Sequence, residues 1–90
     1  MEILVEQTSS EDPHTFTVTV AGDGSTTAHD VTLSHDDFER LSRDGESPDA
    51  FVTRCFEFLL AREPKESILS RFDVSVISRY FSDFESHVSS

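Results

Sequence analysis

The sequence predicts an α+β fold: a three-stranded antiparallel meander followed by about four helices packed on one face of the sheet. Three observations support this class. Apolar and polar residues alternate over residues 3–33, which is the period of a half-buried strand. After Leu33 the apolar residues recur every three or four positions, as in a helix that faces a core. The 90 residues are enough for one domain. We expect residues 1–88 to form it and 89–90 to be a frayed tail.

The three predicted strands cover residues 2–7, 14–21 and 26–33. Between Phe16 and Val20, apolar residues alternate strictly with threonines, a pattern typical of strands. The next residues, 21–25, include two glycines and favour a turn. If Val20 faces Thr27 across this turn, Phe16 faces Val31, and the inward-facing side chains of the two strands match.

The four predicted helices cover residues 35–43, 48–62, 64–72 and 74–86. Ser34 and Ser47 are favoured N-cap residues, and Pro48 suits a first helical position. The second helix contains the most apolar stretch and should lie at the centre of the fold. Pro64 ends it, because the residue before a proline is pushed out of the helical region, and begins the third. Asp73 caps the fourth.

The chain is strongly acidic. Seven basic and 18 acidic residues give a net charge of −11. Lysine occurs once, and asparagine and tryptophan are absent. This composition resembles that of proteins from salt-loving archaea; an ordinary acidic protein is the alternative. Because the screening length falls from about 10 Å at 0.1 M salt to about 3 Å at 1 M, the self-repulsion of such a chain should fade in brine.

The chain shows no signal for export or membrane insertion. Its amino terminus lacks the basic and long apolar segments of a signal peptide. No stretch approaches the roughly 18 apolar residues of a membrane span, so we expect a cytoplasmic protein. Cys55 is the only cysteine, which excludes an intrachain disulfide. It lies among phenylalanines, and we expect it to be buried and unreactive.

No motif indicates catalysis, a cofactor or a metal. The three glycines do not have the spacing of a phosphate-binding loop, and no nucleophile-elbow motif occurs. His14, His29 and His35 are interpreted as structural residues whose further role is open. A zinc site needs three or four converging ligands, so a metal-dependent hydrolase built on His29, His35 and Asp36 is only a second alternative. A non-enzymatic protein is the preferred interpretation.

Residues 67–81 suggest a nucleic-acid-binding alternative. Read in order, they resemble a helix-turn-helix: a short helix, a turn and a second helix carrying Ser78, Arg79 and Tyr80. The turn position usually held by glycine is Asp73, and the net charge of −11 opposes binding to phosphates. A regulator using this segment is therefore the first alternative, not the preferred one.

The last predicted helix carries an apolar stripe with heptad spacing: Val74, Ile77, Phe81, Phe84 and Val88. We interpret the stripe as packing against the second helix, with self-association as the alternative. Tyr80 lies just beside it and suits the rim of an interface. We therefore predict an interaction surface at Arg79, Tyr80 and Phe84, with the exposed edge of the sheet as another candidate surface. It would serve an unidentified protein partner or a second copy of the chain, in an unknown biological role.

One segment also carries a family resemblance. Residues 56–81, FEFLLAREPKESILSRFDVSVISRYF, resemble a segment shared by short uncharacterised bacterial and archaeal proteins. Those proteins pair amino-terminal strands with a helical carboxyl-terminal half. The resemblance implies the same division of the fold here. It implies no activity, because none is attached to that family.

Overall fold

The computed structural model describes residues 1–89. A four-stranded sheet has the order β1-β2-β3-β4, in which the first three strands form an antiparallel meander and β4 is parallel to β3. The strands are β1 (Glu2–Ser9), β2 (His14–Gly22), β3 (Ser25–Leu33) and β4 (Arg71–Asp73). The helices are α1 (His35–Leu41), α2 (Pro48–Leu60), α3 (Ile77–Tyr80) and α4 (Phe84–Val88). The predicted α+β class is confirmed.

The β2–β3 hairpin has the predicted register. Val20 pairs with Thr27 and Phe16 with Val31, so the apolar side chains of both strands lie on one face. Asp23 and Gly24 form the loop with φ angles of 54° and 77°. Positive φ at both central residues is what a type I′ hairpin turn requires, and its twist matches that of the strands.

The first two helices begin where their caps predict. Ser34 Oγ accepts a hydrogen bond from the amide of Asp37, and Ser47 Oγ accepts one from the amide of Ala50. Both helices end two residues before the predicted ends. Helix α2 packs on the sheet and on the last turns of the chain, where Phe58 contacts Phe81 and Phe84. Its buried side chains are Phe51, Val52, Cys55, Phe56, Phe58 and Leu59. Burial raises the pKa of the Cys55 thiol, as its predicted inert role requires.

The predicted helix at 64–72 is wrong. After Pro64 the chain makes one 3₁₀ turn (Lys65–Ser67) and then extends into β4. Strand β4 pairs with residues 30–32 of β3, and the amide of Asp30 donates to Ser70 O. Without β4, this edge of the meander would leave backbone groups unpaired, so pairing with it outweighs the helical spacing of the apolar residues.

The predicted helix at 74–86 is also wrong as a continuous element. A 3₁₀ turn (Val74–Val76) leads into α3, which ends at Phe81, where the backbone is extended (φ −131°, ψ 97°). Helix α4 begins three residues later. Residues 67–81 therefore do not form two helices joined by a turn, and α3 has four residues. The helix-turn-helix geometry expected for nucleic-acid binding is not formed.

The carboxyl end is anchored as far as the structure describes it. Val88 is 1% exposed, and the amide of Ser89 donates to Glu85 O. The predicted frayed tail therefore does not begin at Ser89, and position 90 lies outside the described residues. Across residues 1–89 no helix has the length and apolar character needed to cross a membrane.

Candidate interaction surface

An open apolar cavity lies between the carboxyl end of α2 and the segment that follows it. We call it the apolar groove; its volume is about 350 Å³. Helix α2, the chain around β4 and helix α3 each contribute to its walls. The apolar side chains that line it include Leu59, Ile68, Leu69, Phe72, Ile77 and Phe81.

Two of the exposed large hydrophobic residues belong to this groove. Across residues 1–89 four such side chains are exposed: Met1, Leu4, Leu69 and Tyr80. Leu69 is 48% exposed and Tyr80 is 70% exposed, and both line the groove. Single exposed apolar side chains are common, but two at one concave apolar site form a patch that a partner can cover.

Two charged residues near the groove have no partner among the described residues. The carboxylate of Glu63 lines the groove and is half-buried. The guanidinium of Arg79 is exposed and immediately precedes Tyr80 in α3. No hydrogen bond or ion pair engages either side chain within residues 1–89. The groove lining therefore includes one acidic residue without a partner among the described residues, and a basic residue without one precedes Tyr80 in the chain.

Hydrogen bonds hold the groove walls in place. His29 Nδ1 lies 2.7 Å from Leu69 O, so this nitrogen carries the proton and donates, which leaves Nε2 to accept from Thr27. Three residues further along β3, Thr32 Oγ1 donates to the carboxylate of Asp73 in β4, and the amide of Ser75 donates to the same carboxylate. Burial raises the pKa of Asp73, but these two hydrogen bonds outweigh it and the net pKa is lowered. The groove is therefore preformed.

The three sequence-predicted surface residues do not lie together. Arg79 and Tyr80 are exposed as predicted. Phe84 is 1% exposed and packs edge-on against Phe58, with ring centroids 5.2 Å apart. Phe84 therefore belongs to the core and is removed from the surface. The extended backbone at Phe81 turns the chain between α3 and α4, and the predicted continuous helix had no such break.

Sequence reasoning missed the other groove residues. The sequence predicts a helix at Leu69 that does not form, and Glu63 is one of 18 acidic residues. The alternation of apolar and polar residues over Phe72-Asp73-Val74 is a signal for the short strand β4, although the chain enters a 3₁₀ turn at Val74. A strand assignment there would have placed Leu69 in the preceding extended segment.

A second cavity, which we call the arginine cavity, lies on another face of α2. Its volume is about 380 Å³, and Arg43, Arg54, Arg62 and His87 line it beside Phe58. Arg54 donates twice to Glu46, and Arg62 donates to Asp83. These contacts neutralise the positive charge within the fold.

The histidines of the hydrolase alternative lie apart. His29 packs against Phe56, whereas His35 packs against His14 and pairs with Glu39. His14 Nδ1 accepts from Gln7 Nε2, and its buried Nε2 has no hydrogen-bond partner among residues 1–89. Within residues 1–89, no group of three or more His, Cys, Asp or Glu side chains is placed to hold a metal ion. The His29, His35 and Asp36 site is therefore not assembled.

Comparisons with protein-family models, with curated proteins and with solved structures find no match to this chain. The resemblance noted for residues 56–81 therefore stays a prediction. All ten described residues that line the groove, from Leu59 to Phe81, belong to that segment. What the site can do must be argued from its own chemistry: it can receive an apolar side chain and pair with charges beside it.

Proposed function

We propose that this protein is a non-enzymatic interaction module that binds a protein segment in the apolar groove. The observation that carries the proposal is the position of Leu69 and Tyr80, two exposed apolar side chains lining one preformed concavity. Covering them removes apolar surface from water, which is the main favourable term in most protein association. Tyrosine is enriched in interfaces because its ring gives apolar contact and its hydroxyl still meets solvent.

We also propose that the protein works in the cytoplasm of a salt-loving archaeon. The net charge of −11 and the single lysine support this setting. High salt screens repulsion between an acidic protein and its partner, whereas contact between apolar surfaces does not depend on charge. An apolar groove is therefore a suitable binding site at high salt concentration, and binding should be measured in concentrated KCl.

Selection from a random peptide library in about 2 M KCl tests the proposed function. The wild-type protein should enrich peptides that carry a large apolar side chain. Their addition should shift the amide resonances of residues 68–81. The double variant Leu69→Ser, Tyr80→Ser should lose at least about tenfold in affinity, because residues at the centre of an interface carry most of its energy.

A matched control is Leu4→Ser, which removes an exposed leucine from β1, outside the groove. Its peptide affinity should equal that of the wild type. Peptides that bind the double variant as tightly as the wild type, or that shift the sheet in place of residues 68–81, would contradict the proposal.

A further inference from the structure

We infer that the occupant of the apolar groove is Tyr80 of a second copy of this chain, in a two-fold symmetric dimer. This inference rests on the proposed function and names its partner. In a two-fold interface the same patch serves both copies, so it must contain both a receiving site and a projecting group. The groove is the receiving site. Tyr80, 70% exposed on the short helix α3, is the projecting group.

The charges beside the groove are self-complementary. Within residues 1–89, Glu63 and Arg79 both lack a partner, and they come from different walls: Glu63 follows α2, and Arg79 lies on α3. A two-fold rotation that brings Tyr80 into the opposite groove also brings Arg79 of one copy towards Glu63 of the other. Each copy then supplies the ionic partner that the other lacks, so the dimer contains two Arg79–Glu63 pairs.

Four of the other cations already have close partners, and Arg71, which lies 3.8 Å from Asp30, is on β4 and outside the groove lining. Arg40, Arg54, Arg62 and Lys65 pair with carboxylates of their own chain at 3.0 Å or less. A partner that carried only acidic groups would meet Arg79 but be repelled by Glu63 and by the net charge of −11. A partner that carried only basic groups would leave Arg79 facing like charge. A copy of the chain presents one group of each sign.

The dimer should be weak and favoured by salt. Stable interfaces bury roughly 800 Å² per partner and use 20–30 residues on each side, whereas ten of the described residues line the groove. Two copies at −11 also repel each other in dilute buffer. We expect a dissociation constant on the order of 100 µM in 2 M KCl, and weaker association in 0.1 M KCl.

Sedimentation equilibrium up to about 1 mM protein in 2 M KCl tests the inference. Tyr80→Ser should weaken dimerisation at least about tenfold, and Leu4→Ser should leave it unchanged. Because Tyr80 is exposed, its replacement should leave the circular dichroism spectrum unchanged. A wild-type protein that stays monomeric throughout would overturn the inference.

Charge reversals separate the proposed ion pairs from general repulsion. Glu63→Arg changes the net charge from −11 to −9, and Arg79→Glu changes it from −11 to −13. If repulsion alone governed association, Glu63→Arg would strengthen the dimer. The proposed pairs require both single variants to weaken it and the double variant, at −11 again, to recover to within about threefold of the wild type. A stronger Glu63→Arg dimer, or a double variant no better than the singles, would overturn the pairing.

The two proposals fail in different ways. If the protein stays monomeric while apolar peptides still bind residues 68–81, the groove is an interaction site for a different protein and only the dimer is wrong. If neither peptides nor a second copy bind there, the proposed function fails as well.

Discussion

The apolar groove and the arginine cavity are similar in volume, about 350 and 380 Å³, and both are built on α2. They differ in what their charged groups do. In the arginine cavity, Arg54 and Arg62 pair with carboxylates of the same chain. Beside the groove, Glu63 and Arg79 pair with nothing within residues 1–89. The two cavities therefore differ not in size but in whether the charged groups beside them are paired within the described part of the fold.

The side chains that line the arginine cavity hold the carboxyl end of the fold in place. Arg54 donates to both carboxylate oxygens of Glu46 and to Val88 O, which joins α2 to the preceding loop and to α4. The side chains of Arg54 and Glu46 are 18% and 10% exposed, so water screens the pair little. Arg62 lies 3.6 Å from the centroid of the Phe58 ring, where a cation is attracted to the ring face.

The largest expected effect is that of Arg54→Met. The change leaves the Glu46 carboxylate buried without its cation, which should lower the free energy of unfolding by about 3 kcal/mol. Denaturant unfolding in concentrated KCl measures it. Arg79→Met removes the same charge from a side chain that has no partner in the part of the chain that the structure describes, and it should leave stability unchanged. Equal effects of the two variants would show that the distinction between the two regions is wrong.

The Glu46–Arg54 pair should also contribute to the loss of stability at acidic pH. The hydrogen bonds from Arg54 hold the pKa of Glu46 below its ordinary value, against the opposing effect of burial. A carboxylate with a lowered folded pKa contributes stability above its unfolded pKa and loses it as the pH falls through the folded pKa. Unfolding measured from neutral pH downward should therefore show a loss of stability that Glu46→Gln reduces. An identical pH profile for this variant would contradict the assignment.

A smaller effect is expected from Arg62→Met. This substitution removes the cation from the Phe58 ring and the ion pair with Asp83, while keeping an apolar chain over the ring. A loss of about 1 kcal/mol in the free energy of unfolding is expected, since the Arg62 side chain is 29% exposed and partly screened. Peptide binding in the groove should not change. A loss of binding in this variant would mean that the two regions are coupled.

Local patterns predicted much of the fold. The alternation from Phe16 to Val20 and the Asp23-Gly24 turn fix the hairpin register, and Ser34 and Ser47 mark the helix starts. These features depend on neighbouring residues only, so the sequence carries them directly.

The rest depends on contacts between distant residues. Strand β4 forms because it pairs with the free edge of β3. That edge lies about 40 residues earlier in the chain, as the Asp30–Arg71 pairing shows. No proline or glycine marks the break at Phe81. The groove brings together Leu59, Leu69 and Tyr80 through both of these features. Of the predicted site, Arg79 and Tyr80 remained on the surface and Phe84 did not.

The burial of the one cysteine has a practical consequence. Cys55 lies 1% exposed on the inner side of α2, with the pKa of its thiol raised by burial. Alkylating reagents act on exposed thiolates, so the native chain should resist them. A spin label or fluorophore attached through Ser82→Cys, at an exposed residue just after α3, would then occupy a single position and leave Tyr80 in place. Distances between two such labels would report how close the α3 helices of neighbouring molecules come in brine.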